Sequence, residues 1–129
     1  MPSRTLRLIA RQLLSYPLGS QTKLFNPVAL VKLDDRFGFA NWYITEFDQE
    51  TKIAKAYVSG IGFQAWVKVS LDELLAIKAF RYFKRVKLDR NFQAKNIRQL
   101  GIQPEMYAPR RTPSRVRFDY IRSSKFVFL

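Results

Sequence analysis

The sequence contains neither cysteine nor histidine. Without cysteine the chain has no disulfide, no thiolate zinc site and no cysteine nucleophile. Without histidine it lacks the side chain that most often serves as a general base near neutral pH, which is also the commonest ligand of transition metals. We therefore expect no catalytic residues, no metal site and no cofactor, and we predict that the protein is not an enzyme.

Long apolar runs are also missing. No window of the sequence approaches ~20 consecutive apolar residues, so we predict that no segment spans a membrane. Near the start of the chain, Arg7 and Arg11 interrupt the apolar run that a signal peptide requires. Together these two absences predict a cytoplasmic protein.

Acidic residues are few, and the charge is unevenly distributed along the chain. Residues 1–76 carry 9 Lys and Arg against 7 Asp and Glu, whereas residues 77–129 carry 14 against 3. The second part therefore holds a net charge of +11 out of the total of +13. A field of this size repels its own chain, so folding alone gives no reason for it. The imbalance indicates a polyanionic partner, which in a cell is usually nucleic acid.

Length and composition favour one folded domain. A chain of 129 residues with 47% hydrophobic residues can build a core without metals or disulfides. We predict a single domain over residues 1–100 and a basic C-terminal arm over residues 101–129, where three prolines precede a last segment with the apolar content of a docking strand.

Apolar periodicity predicts an α+β fold. Alternating apolar residues with short connections predict an antiparallel meander of four to five strands, because consecutive strands usually pair with each other. Helical spacing of apolar residues predicts a helix at the start of the chain. The predicted elements, in chain order, are a helix over 4–15, strands over 28–33, 41–47, 53–58 and 65–69, a helix from 70 to about 80 and a strand over 86–92.

A capping box marks the start of the second helix. Ser70 is followed three residues later by Glu73, and the two side chains can each satisfy a backbone N–H group that the helix leaves open. Asp72 adds a negative charge that interacts favourably with the helix dipole.

Several of these segments resemble a small bacterial family. Over roughly residues 6–95, the order of five segments is similar to that of the domain of unknown function 2958 family. These segments are Leu8–Leu14, Pro27–Lys32, Trp42–Asp48, Val69–Leu74 and Arg85–Phe92. The resemblance implies a small α+β domain in the setting of plasmids, phages and other mobile elements, with no catalytic residues to transfer. The chain departs from the family pattern after the second helix, where its charge is highest.

The basic region supplies the candidate phosphate contacts. It is rich in lysine and arginine both in a predicted strand region and in the Pro-bounded arm, and six to ten phosphate contacts would give non-specific binding of nucleic acid. The candidate nucleic-acid-binding residues are Arg81, Lys84, Arg85, Lys87, Arg90, Arg110, Arg111, Arg115, Arg117, Arg122 and Lys125.

Two aromatic residues lie among these cations. Tyr82 and Phe83 are candidates for base stacking, the mode by which single strands are bound. The alternative is that such aromatic side chains simply belong to the core, which is where large apolar residues are usually found.

Two other kinds of site have partial support in the sequence. Asp35 and the segment Glu50–Lys52 have the residue types of a nuclease metal site, but the second segment falls in a predicted turn.

The helix over 4–15 carries three arginines opposite an apolar face and could lie on a membrane surface, although packing on the sheet explains it more simply.

Two hypotheses about function follow. The first is a non-enzymatic nucleic-acid-binding accessory protein, bound to RNA or DNA as a subunit of a ribonucleoprotein or mobile-element-associated complex. The second is a protein-interaction module, such as a phage or plasmid counter-defence inhibitor, that binds a partner protein through its basic face. Neither hypothesis expects a membrane or a small-molecule substrate.

Overall fold

The fold is α+β, as predicted. A computed structural model describes residues 4–21, 24, 26–60, 64–80 and 83–102. The elements are α1 (Arg4–Gln12), β1 (Val28–Ala29), β2 (Val31–Asp35), β3 (Asn41–Phe47), β4 (Ile53–Ser59), β5 (Ala65–Ser70), α2 (Leu71–Ala76), β6 (Lys78–Ala79), β7 (Phe83–Lys84), β8 (Val86–Leu88) and β9 (Lys95–Asn96).

An antiparallel five-stranded sheet forms the centre of the fold. Its strand order is β5-β4-β3-β2-β8, so the predicted meander is confirmed and β8 is added beside β2. Two short antiparallel pairs, β1 with β9 and β6 with β7, lie beside this sheet. Consecutive strands pair because their connections are short.

The main core lies on one face of the sheet, beneath the two helices. Leu6, Ile9 and Leu13 from the α1 region are fully buried with Trp42 and other apolar residues of the sheet. The apolar face of α1 is therefore occupied by the protein interior, which argues against its lying on a bilayer. Neither α1 nor α2, the helices of the described ranges, has the length and apolar character needed to cross a membrane.

A β-bulge changes the alternation along β3. Strict alternation over the strand predicted at 41–47 would turn Phe47 away from Trp42 and Ile44, and this expectation is wrong. The pairing between β3 and β4 shifts between Ile44 and Glu46, so Phe47 returns to the core face and is fully buried there. An extra residue in one strand reverses the face of everything that follows it.

The hydrogen bond that Ser70 contributes to the capping box of α2 is present. The Ser70 hydroxyl accepts a hydrogen bond from the Glu73 backbone N–H at 3.4 Å. The helix ends at Ala76, however, and not near residue 80 as predicted. Ile77 takes an extended backbone and its carbonyl accepts from the Arg85 N–H at 3.0 Å, so the chain leaves the helix to enter the β6–β7 hairpin.

Two predicted strands also have different limits. The strand predicted over 28–33 is divided into β1 and β2, because Val28 and Ala29 pair with β9 whereas the chain from Val31 onward pairs with β3. The strand predicted over 86–92 ends at Leu88. There Asp89 starts a turn, and its carboxylate accepts from the Asn91 N–H at 2.9 Å.

A second, smaller core covers the other face of the sheet. Tyr57 and Trp66 pack edge to face with their ring centroids 5.3 Å apart, and Ile97 and Ile102 bury them. Packing therefore continues to Ile102, two residues beyond the predicted end of the domain.

Lys55 lies at the edge of this second core. Its Nζ is 5.7 Å from the centroid of the Trp66 ring, and it pairs in register with Glu46. Burial lowers the pKa of Lys55 below 10.5; the nearby Glu46 carboxylate opposes this effect and Lys68 adds to it. A lysine with a depressed pKa in the folded state penalises folding while it is protonated, and the penalty disappears as the pH rises through that pKa towards 10.5.

We expect Lys55→Met to show this pH dependence by comparison with the parent protein. The parent should gain stability relative to the variant as the pH rises from neutral towards 10.5, because its unfolded state then binds more protons than its folded state. Urea unfolding of both proteins across that range measures the difference. Tyr57 is present in both proteins, so its titration cancels from this difference. A difference that does not change with pH would contradict the assignment.

Candidate nucleic-acid interface

Two turns meet at one end of the five-stranded sheet. The first connects β2 to β3, and the second leads from the β6–β7 hairpin into β8 at Arg85. The Arg36 N–H donates to the Arg85 carbonyl at 2.7 Å, which joins the two turns through their backbones. Residues some fifty positions apart in the sequence thus form one surface.

A buried ion pair holds this junction together. The Arg85 guanidinium donates to the Asp35 carboxylate through Nε at 2.9 and 3.0 Å and through one terminal nitrogen at 2.8 Å. The side chains of Arg85 and Asp35 are only 3% and 5% exposed. The prediction that Arg85 contacts phosphate does not fit this position, because its charge is enclosed by the protein and directed at a carboxylate.

An aromatic tip projects from the two turns. We use this name for Phe37, Phe39, Phe80 and Phe83. The Phe37 ring lies 5.5 Å from that of Phe80 and 6.4 Å from that of Phe83, centroid to centroid. Phe39 follows two residues later in the same turn and is 84% exposed, while Phe83 is 51% and Phe80 is 47% exposed. The stacking candidate Phe83 is therefore at the surface and not in the core.

Phe80 has a strained backbone. Its φ is +54°, in the left-handed region that bulky L-residues rarely adopt. This conformation costs roughly 1–2 kcal/mol relative to the right-handed one. Strain of this kind concentrates at functional sites and turns.

The turn that carries Phe39 is firmly held. The Asp35 side chain accepts from the Phe37 N–H at 3.0 Å, and the Asp35 N–H donates to the Ala40 carbonyl at 2.9 Å. A Cβ atom on Gly60, which has φ of +85°, would lie 1.9 Å from the Phe39 carbonyl oxygen. The neighbouring loop thus packs directly on the Phe39 backbone, so the most exposed phenylalanine extends from an ordered support.

Exposed cations lie beside the aromatic tip and along the strands that follow it. The Arg36 guanidinium lies 5.7 Å from the Phe37 ring centroid, and Lys78 and Lys84 are exposed on the hairpin. Lys87 and Arg90, two more of the predicted phosphate contacts, are exposed on β8 and just after it. None of these five forms an ion pair with another described residue.

Each carboxylate near this surface already has a cationic partner. Asp35 is paired with Arg85, and the Lys32 ammonium lies 3.4 Å from Asp34 and 3.8 Å from Asp89. Asp89 is the one acidic residue between positions 83 and 102. The exposed cations of this segment therefore dominate the local field.

A shallow cavity of about 280 Å³ lies farther along the sheet. Tyr43 and Phe92 form its aromatic wall with their ring centroids 6.0 Å apart. Lys32 and Lys95 lie 5.8 Å and 6.0 Å from these rings, respectively. Sequence reasoning missed this group, because Tyr43 and Phe92 meet only through the pairing of β2 with β3 and the turn after β8.

Part of the predicted site lies outside the described residues. The roles assigned to that part from the sequence stay predictions. The residues concerned are Arg81, Tyr82, Arg110, Arg111, Arg115, Arg117, Arg122 and Lys125.

The nuclease alternative does not fit the geometry. Asp35 lies where β2 leads into β3, whereas Glu50 and Lys52 lie in the turn after β3, at the other end of that strand. Seven residues of extended strand separate these ends by roughly 20 Å. Within the described ranges, no group of three or more acidic side chains is placed to hold a metal ion.

Comparison of the chain with protein-family models, curated proteins and solved structures found no match. The resemblance to the domain of unknown function 2958 family therefore stays a prediction.

Proposed function

We propose that the protein binds nucleic acid through phosphate contacts, as a non-enzymatic accessory subunit of a ribonucleoprotein or mobile-element-associated complex. The observation that carries the proposal is the group of exposed cations from β7 to β9, Lys84, Lys87, Arg90 and Lys95, beside two carboxylates, Asp34 and Asp89, that both contact Lys32. Uncompensated positive charge on this scale favours a polyanion, and contacts between cations and phosphates provide most of the affinity of non-specific binding.

One of these cations, Lys87, lies on the edge strand of the five-stranded sheet. β8 is the last strand in the order of the five-stranded sheet, and Lys87 on β8 pairs in register with Asp34 on β2. Cations along an exposed edge also discourage pairing with other strands, which is a structural reason for some of them. The net charge of +11 over residues 77–129 is far larger than that role requires.

Neutralising the edge should weaken binding in a salt-dependent way. We expect the triple variant Lys84→Gln, Lys87→Gln and Arg90→Gln to reduce the slope of log affinity against log salt by about 0.7–0.9 for each phosphate that the variant no longer binds. Fluorescence anisotropy with labelled RNA and DNA oligonucleotides of one sequence, single-stranded and duplex, measures this slope. Thermal stability should stay nearly unchanged, because all three side chains are exposed.

A matched control is available on α1. Arg4, Arg7 and Arg11 are also exposed, and replacing them with Gln removes the same net charge from another surface. Equal effects of the two triple variants would mean that only net charge matters and that β8 is not the binding edge.

A further variant tests the C-terminal part. Four arginines lie within eight residues there, and an extended chain would spread them over roughly 25 Å. Their joint replacement should also flatten the salt slope. These residues are Arg110, Arg111, Arg115 and Arg117.

A further inference from the structure

We propose that the aromatic tip is a stacking site for the unpaired bases of single-stranded nucleic acid. This inference rests on the proposed function and specifies its ligand, since phosphate contacts alone do not distinguish single strands from duplexes. In a duplex the faces of the bases are covered by their neighbours, whereas a single strand offers each base to a protein ring.

The aromatic tip gathers exposed phenylalanine rings in a small area. Phe39 and Phe83 are more than half exposed, and Phe80 nearly so. The Phe37 ring contacts those of Phe80 and Phe83, and Phe39 is exposed in the same turn as Phe37. An isolated exposed apolar residue needs no explanation, but a group of exposed aromatic side chains marks an interaction surface. The tip also rests on an ordered base, formed by the Asp35–Arg85 pair and by Gly60 packed on the Phe39 carbonyl. Little conformational freedom of this backbone would therefore be lost on binding.

The charge around the rings favours the same ligand. Arg36 lies 5.7 Å from the Phe37 ring centroid, Lys78 and Lys84 are exposed on the hairpin that bears Phe83, and the Asp35 carboxylate is paired with Arg85. An apolar peptide or protein surface would gain nothing from the Arg36 guanidinium beside the Phe37 ring or from the exposed lysines of the hairpin. A polyanion with flat aromatic groups attached at regular intervals complements both the rings and these cations. The combination selects single-stranded nucleic acid as the occupant.

A pair of leucine substitutions separates ring stacking from general apolar contact. In the full chain, Phe39→Leu with Phe83→Leu keeps two apolar side chains but removes two aromatic faces. For each base that no longer stacks on a phenylalanine ring, we expect the affinity for a single-stranded oligonucleotide to fall at least about fivefold. Affinity for a duplex of the same sequence, and the salt slope, should stay unchanged. Phe39→Tyr should retain the parent affinity for the single strand.

The chain offers a matched control for exposed apolar residues. Leu14 and Leu24 are 69% and 53% exposed, and both lie outside the tip. Their replacement with alanine should leave single-strand affinity unchanged. A second measurement uses Phe39→Trp, because the native Trp42 and Trp66 are buried and the introduced indole would report on the tip. Its fluorescence should be quenched when a single strand binds, and not when a duplex binds.

Each result decides between the two proposals. If the parent binds single strands and the double leucine variant binds them equally well, or if the indole is not quenched, the stacking site is excluded while phosphate binding stands. If replacing Leu14 and Leu24 with alanine costs as much single-strand affinity as replacing Phe39 and Phe83 with leucine, the stacking site is likewise excluded. If the parent binds neither single strand nor duplex at any salt concentration, the proposed function itself fails, and the protein-interaction module takes its place.

Discussion

Replacement of Arg85 with methionine is expected to destabilise the protein by about 3–5 kcal/mol, because it leaves a buried carboxylate without its partner. Both side chains of the pair are almost fully enclosed. The Asp35 carboxylate also accepts from the Phe37 N–H, so the destabilisation should reach the turn that carries the aromatic tip. Urea unfolding of the parent and of Arg85→Met measures the change.

A double variant separates the unpaired charge from the change in packing. Asp35→Leu combined with Arg85→Met removes both charges, and buried pairs replaced by apolar residues of similar volume are often close to neutral in stability. We expect the double variant to be more stable than either single variant. A loss in the double variant equal to the sum of the two single losses would show that the two side chains are not coupled. For any folded Arg85→Met protein, the salt slope of binding should match that of the parent, since Arg85 is not a phosphate contact in this structure.

Trp42→Ala should also cost about 3–5 kcal/mol of unfolding free energy, the usual loss for a large buried aromatic side chain. Trp42 is 1% exposed and sits in the centre of the sheet, between Leu33 and Val58 in register. This is a large share of the total stability of a small domain, roughly 5–15 kcal/mol. Thermal or urea unfolding measures the loss.

Trp42→Phe is the control for this variant. It keeps a buried ring and should lose clearly less stability than Trp42→Ala. Single-strand affinity of the folded protein should be the same in both, because the residue lies on the helix-covered face and away from the exposed cations. A Trp42→Ala protein with parental stability would contradict the packing described here.

Local sequence signals predicted most of the central sheet. The strand Asn41–Phe47 has the limits that alternation predicted, and β4 extends the predicted strand by one residue to Ser59. The capping residue Ser70 was also placed correctly. These features depend on neighbours within a few residues, so periodicity and turn chemistry suffice to predict them.

Features that depend on distant residues could not be predicted in this way. The burial of Arg85 follows from Asp35, fifty positions earlier, and an arginine among other cations in the sequence gives no sign of it. The bulge in β3 appears only in its pairing with β4. Likewise, the contact of Phe37 with Phe80 and Phe83 exists only because the β6–β7 hairpin packs against the turn between β2 and β3.

Binding of phosphates by the exposed cations in the second part of the chain is the centre of the proposed function. Its most direct test is the affinity of the full chain for a labelled single-stranded oligonucleotide, measured by anisotropy over a series of salt concentrations. We expect log affinity to fall linearly with log salt, with a slope of about −0.7 for each phosphate bound on a single strand. A flat dependence, or no binding at low salt, would contradict the proposal.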